Sequence, residues 1–411
     1  MGSVYSSLRS YYLRCLNIHH KPVEKPRSSD LKPLEFTVNP ENSFAIRLLR
    51  SLIQPSDLLE KNILVSPCHV EVILAALLPR IDGDIRDLLT ELLCPNGRSY
   101  EEFLKTLDDA VLEGLNIVFY DDTYSMVDHS AGQYIAQVEF MKAAFHSNPE
   151  EAANIINRII SSKISANANQ FSPVVTSDAS LILVSIVQVS GKWESPFRTG
   201  DTQTGTFYGL NKKETQVPLM KYESCWVRTY NVPGTGGCHK AAGHPHMVIM
   251  DLAGGTYCVM IILPSVDEEI SQIMDKFQQI LTIETLLKWR EKAYGNDVDI
   301  VVPKFRLRHT TDLKSCMEVM GLDGLFTPSV STFRPMSGEE EVNVQEFRQE
   351  IIIGLDEYGL NASPFSQPRY VPGLPLTNPN FVVNRPFLLI VWDEYNNIPV
   401  IIGQITDPIS M

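Results

Sequence analysis

What the chain lacks narrows it first. Its seven cysteines (Cys15, Cys68, Cys94, Cys225, Cys238, Cys258, Cys316) form no CxxC pair and are odd in number. That disfavours a disulfide framework or a zinc ribbon and points to a reducing, intracellular compartment. No run of 18 apolar residues exists, and the first 30 residues hold no apolar signal core, so neither a transmembrane helix nor a secretory signal is expected. Basic side chains are outnumbered, 35 Lys+Arg against 49 Asp+Glu, for a net charge of −14. The phosphate-binding face of a nucleic-acid partner is therefore not expected.

Catalytic signatures are missing too. Neither Ser66 nor Ser195 sits in G-x-S-x-G. The neighbours Cys68 and His69 would point about 100° apart on a helix, away from a dyad. Gly234-Thr235-Gly236-Gly237 lacks the Lys-Ser/Thr ending of a phosphate loop. The cluster Cys238, His239, His244 and His246 matches no standard zinc spacing. Neither an enzyme nor a metal or organic cofactor is expected.

What is present suits a large folded body. The chain has 411 residues, 44% of them hydrophobic, enough for a sizeable core. Residues 1–38 form a polar, basic, proline-bearing tail. Met1-Gly2-Ser3-Val4-Tyr5-Ser6 fits the M-G-x-x-x-[ST] acylation pattern, which makes Gly2 a candidate myristate acceptor. Cys15, with Arg9 and Arg14, would supply the second signal for a membrane tether. Residues 39–411 read as one domain without a linker.

Apolar spacing predicts helices over residues 44–53, over 70–78 after Ser66-Pro67, from Pro149 with Ala152, Ile156 and Ile160 on one stripe, and over 310–320. Strands are predicted at residues 181–190, 257–263, 300–302, 350–355, 387–392 and 400–405, with a hairpin turn at Glu394-Tyr395-Asn396-Asn397. Helices crowd the first half and strands the second, so an α+β class is favoured over a doubly wound sheet. Cys68, Cys258 and Cys316 fall in apolar runs and read as core thiols. Between two of the strands, residues 361–379 carry Pro364, Pro368, Pro372, Pro375 and Pro379. Such a segment holds neither helix nor central strand, and a long loop between core strands is seldom idle.

Four ordered blocks carry a family resemblance. They are Asn62-Ile63-Leu64-Val65-Ser66-Pro67, then Gly191-Lys192-Trp193-Glu194 closing a long strand. Val302-Pro303-Lys304-Phe305 follows, with Thr311-Asp312-Leu313 and Met320-Gly321-Leu322, and last Asn384-Arg385-Pro386-Phe387-Leu388 with Gly403 and Asp407-Pro408. Together they resemble the serpin family over about residues 40–411. The resemblance implies a fold of three β-sheets and about nine helices, with an exposed reactive-centre loop at about 357–384. It also implies a protease as protein partner and action as a monomer. In inhibitory members a protease cleaves the loop, which then inserts as a new central strand of the main sheet.

The same resemblance assigns site residues. The loop hinge falls on Glu357, Tyr358, Gly359, Leu360, Asn361 and Pro364, where Leu360, Pro364 and Phe365 replace small residues and Asn361 stands where an acid or amide is usual. Counting forward puts the scissile bond at Gly373-Leu374, and counting back from Arg385-Pro386-Phe387 puts it at Pro375-Leu376. Arg369-Tyr370 is a third candidate, about four residues early. The polar latch beneath the sheet falls on Ser66, His69, Ser185 and Gln349, all atypical but Ser66, and Trp193 takes the position at the top of the sheet. Prolines lack the N–H that an inserted strand must donate. The expectation is an intracellular or virus-encoded, non-inhibitory binding or regulatory protein. The alternative is an inhibitor of serine or cysteine proteases acting by loop cleavage and insertion.

Overall fold

The computed structural model describes residues 44–53, 61–93, 112–124, 138–163, 174–210, 213–231, 246–264, 281–327, 342–362 and 378–409. Its elements belong to one unit, Val38–Met411. In chain order they begin with α1 (Phe44–Ile53), β1 (Ile63–Val65), α2 (Pro67–Leu77) and α3 (Gly83–Leu93). Next come β2 (Leu112–Asp121), β3 (Glu139–Ala143), α4 (Pro149–Lys163), β4 (Leu181–Val189) and β5 (Gly191–Lys192). A run of strands follows: β6 (Gln203–Tyr208), β7 (Glu214–Tyr230), β8 (Met247–Asp251) and β9 (Tyr257–Ile262). Then come α5 (Ile283–Lys292), β10 (Tyr294–Pro303), β11 (Phe305–Asp312), α6 (Lys314–Val319) and β12 (Val344–Asp356). The two-residue β13 (Gly359–Leu360), β14 (Asn380–Val382), β15 (Phe387–Asp393) and β16 (Ile398–Ile405) complete the order.

The class is α+β, as expected. Six α-helices and three single-turn 3₁₀ helices stand among the described residues, against about nine expected helices. Among the described residues the strands join into two hydrogen-bonded sheets, where three were expected. One runs β3-β2-β4-β12-β13-β5 with β11 on β12, and the other runs β1-β16-β15-β9-β8-β7-β10-β14 with β6 on β7. The 17-residue β7 explains the union. It pairs with β6 near one end, with β8 near the other and with β10 along most of its length, so one ladder runs through both parts.

The first sheet is covered on both faces. Along β4, Leu181, Leu183, Val187 and Val189 join the main core. The intervening Ile182, Val184 and Ile186 pack with Ala152, Ile156 and Ile160 of α4. A strand buried on both faces reads as an unbroken apolar run, which is how it stood out in the sequence. α2 lies in the main core, with Val70, Ile73, Leu74 and Leu77 fully buried. Pro67 opens it at the first turn, and Pro79 follows in a 3₁₀ turn.

One predicted helix is corrected. Residues 310–312 lie in β11, which pairs with β12 over eight residues, and helix remains only at α6. Phe305, Leu307 and Thr311 are buried while Arg306, Thr310 and Asp312 are exposed. That alternation suits a strand against a sheet, and ladder bonds override the helical spacing further along.

Candidate functional site

The hinge is a tight turn at the top of the first sheet. The carboxylate of Asp356 accepts from the N–H of Tyr358 at 2.8 Å and of Gly359 at 3.1 Å, closing the turn from β12 into β13. Gly359 has φ +150°, and a Cβ there would lie 1.9 Å from the carbonyl oxygen of Gly191. Only glycine fits. β13 then enters the sheet antiparallel to both neighbours. Gly359 lies opposite Asp356 and Lys192, and Leu360 opposite Leu355 and Gly191.

The pairing has a fixed parity. Trp193 N–H donates to Tyr358 O at 2.9 Å, so even-numbered hinge residues face the β5 side. Asn361 N–H donates to Gly354 O at 2.7 Å, so odd-numbered residues face β12. Below this point β4 and β12 pair directly in parallel, ending at Gln188 opposite Ile352. Asn361 leaves the sheet with φ +44°.

Trp193 secures the same corner. Its indole N–H donates to Asp356 O at 2.9 Å, and its ring meets Phe197 edge-on at 6.4 Å. Phe197 N–H donates to Glu357 O at 2.8 Å. The Glu357 carboxylate, 3% exposed, accepts from Lys304 Nζ at 2.7 Å and from the Thr202 hydroxyl at 2.8 Å. Burial pushes this carboxyl up, but the ammonium, the hydroxyl and a backbone N–H outweigh it, leaving it below the usual range. Lys304 and Thr202 were not singled out in the sequence, although Lys304 stands inside one of its recognised blocks.

The latch residues also converge. Gln349 Oε1 accepts from Ser66 N–H at 2.7 Å, and its Nε2 donates to Ser66 O at 3.0 Å and to Ser185 Oγ at 3.2 Å. Ser185 Oγ donates to Asn116 Oδ1 at 3.0 Å. The Ser66 hydroxyl does not cap α2; it donates to Val400 O at 2.7 Å and meets His69 Nδ1 at 3.0 Å. One network thus ties β12, β4, β2, α2 and β16 together. Asn116 was missed because nothing in its local sequence marks it. Gly114 was missed too: a Cβ there would lie 2.1 Å from His69 Nε2, so its bareness makes room for the imidazole.

Cys68 and His69 do touch, contrary to the helical expectation. Sγ lies 3.5 Å from Nδ1, because both side chains turn back toward Ser66 in the first turn of α2. Burial pushes the thiol up to about 12 and the imidazole down to about 4. A neutral thiol beside a neutral imidazole lacks the thiolate that nucleophilic chemistry needs. Cys258 and Cys316 are free and buried, as read from the sequence.

Asp251, Cys258 and Glu394 gather within metal-ligand distance. Their charge is already met by arginine. Arg228 Nη2 reaches Asp251 and Glu394, each at 2.6 Å, and Arg290 also binds Glu394 while stacking on Trp392 at 4.7 Å. Two guanidiniums leave this acid cluster a structural ion network. Of the cluster Cys238, His239, His244 and His246, the first three lie outside the described residues. So do Gly2 and Cys15, and Pro364, Phe365, Pro368, Arg369, Gly373, Leu374, Pro375 and Leu376 of the loop. No helix among the described residues is long and apolar enough to cross a membrane.

Comparison with known proteins accords with this geometry. The family model "Serpin (serine protease inhibitor)" matches residues 39–408. Human Serpin B9 is 24% identical over 392 residues, spanning 91% of this chain and 100% of the relative. A carp alpha-1-antitrypsin homolog is 26% identical over 300 residues, 73% of each chain. Among solved structures, the native thermophilic serpin tengpin superposes with a TM-score of 0.75 at 20% identity, covering 95% of this chain and 97% of that one. Native protease nexin-1 with heparin gives 0.72 at 20% identity, covering 89% and 98%. With its family model matched over nearly the whole body and its fold shared, the chain belongs to the serpin family.

Proposed function

We propose that this chain is a non-catalytic, protein-binding serpin that presents its loop to a protease without trapping it. The supporting observation is the parity at β13. Extended down the gap between β4 and β12, that register sets Pro364 opposite Val187, Pro368 opposite Leu183 and Pro372 opposite Ala179. All three are even-numbered and so, once inserted, would face the β4 side, where each lacks the N–H that its partner carbonyl would accept. A buried carbonyl left without its donor costs roughly 1–3 kcal/mol. Three on one edge penalise the inserted state by several times RT, and insertion must outrun release of the cleaved loop. A loop that stays outside the sheet carries no such penalty.

A second reading is a trapping inhibitor of serine or cysteine proteases. It is favoured by one observation: Gly359 and Leu360 already occupy the gap, so the sheet is parted at its top. Relatives such as the horse leukocyte elastase inhibitor accord with a protease as partner.

Incubation with a panel of serine and cysteine proteases, read by denaturing gel, separates the two. Loop cleavage without an SDS-stable complex, and with little change in Tm, is the expected result. A covalent complex, or a large rise in Tm on cleavage, overturns it in favour of trapping.

A further inference from the structure

Asn361 is placed to do more than end β13. Its carboxamide nitrogen donates to Val189 O of β4 at 2.6 Å and to Ile352 O of β12 at 3.2 Å. By the hinge parity, the next two insertion steps would send Ala362 N–H to Val189 O and the Ser363 N–H to Ile352 O. The two hydrogens of one side-chain amide therefore occupy both acceptors that the advancing strand needs. The orientation of the amide is dictated, since the opposite flip would set Oδ1 against two carbonyl oxygens. Two further features fit. Asn361 adopts φ +44°, a left-handed conformation that asparagine tolerates and that turns the chain out of the sheet. Gly354 supplies the seat: a Cβ there would lie 2.7 Å from Asn361 Oδ1.

We propose that the Asn361 carboxamide is a built-in stop, which halts the loop after Leu360 by bridging β4 and β12 in place of the next inserted residues. The inference rests on the family reading of the loop as the strand that would enter this gap. It concerns the threshold of insertion, whereas the prolines concern what lies beyond.

The test is uptake of a strand supplied in trans. A short acetylated peptide of alanine, serine and threonine is incubated with the full chain, and uptake is followed by native gel and by the rise in Tm. Losing two neutral hydrogen bonds predicts uptake about tenfold faster in Asn361→Ala than in the parent. Gly354→Ala, which evicts the carboxamide without altering residue 361, should match it. Asn361→Asp, isosteric but without donors, gives the same reading if the alanine variant fails to fold. Parental rates in the folded variants overturn the stop. So does acceleration at residue 361 alone, which would assign the effect to the backbone turn. The peptide carries none of this chain's prolines, so its uptake is independent of the proposed function, whose failure appears as an SDS-stable complex with the unmodified chain.

Discussion

Gln349 and Ser66, 283 residues apart, form a closed pair: the carboxamide of Gln349 accepts from the N–H of Ser66 and donates to its C=O. Both residues are fully buried. A side chain thus does for Ser66 what a neighbouring strand would do, and it locks the start of α2 against the sheet.

Removing that side chain strands the N–H of Ser66 in the core, while its C=O keeps the N–H of Val70 at 3.3 Å. Gln349→Ala should lower stability by roughly 1–3 kcal/mol for the group left without a partner. The midpoint of urea unfolding, followed by tryptophan fluorescence, reports it. A midpoint within error of the parent would show that the network is idle.

Acid should dissolve the contact of Glu357 with Lys304. The carboxyl is held below its ordinary range when folded, so it contributes stability above the unfolded value near pH 4.3 and loses it as pH falls through the folded value. Glu357→Gln should therefore lower Tm by a constant amount above about pH 5, with the gap to the parent closing below about pH 4. Parallel Tm curves down to the acid limit would contradict this.

His69 acts over a higher window. Its folded value of about 4 lies below the ordinary 6.5 because the ring is buried. Between those values the unfolded chain takes up a proton that the folded chain refuses, so stability falls as pH drops from about 6.5 toward 4. His69→Gln should flatten Tm against pH across that window.

Gly114 and His69 should behave as a coupled pair. Gly114→Ala intrudes on the imidazole and is expected to destabilise by about 1–3 kcal/mol, as overpacking does. In a His69→Ser background the same change should cost much less. A double-mutant cycle on urea midpoints measures the coupling, and additive effects would show that the ring simply moves aside.

Much of this protein was legible before its structure. The apolar run of β4, the Pro67 start of α2 and the Glu394–Asn397 turn follow from burial, φ restriction and turn chemistry that act locally. Ser66 and Trp193 lie in the ordered motifs, and His69, Ser185, Gln349 and residues 357–361 were placed by the family resemblance; the structure gathers these described residues in two places. Residues 310–312 misled because their spacing suited both a helix and a strand, and pairing with β12 decided. Cys68 and His69 misled because ideal helical angles do not describe a first turn whose side chains bend back to Ser66.

By itself the sequence determined where glycine stands at the hinge, where prolines deny backbone donors and which segments must be buried. Only the tertiary structure decided which side of β13 each of residues 358–361 faces, because strand parity is set by pairing, not by local spacing. It alone placed the Asn361 amide between Val189 and Ile352, 172 residues and 9 residues away. Hydrogen bonds reach about 3 Å whatever the separation along the chain, so contacts of this kind exist only once the sheet has assembled.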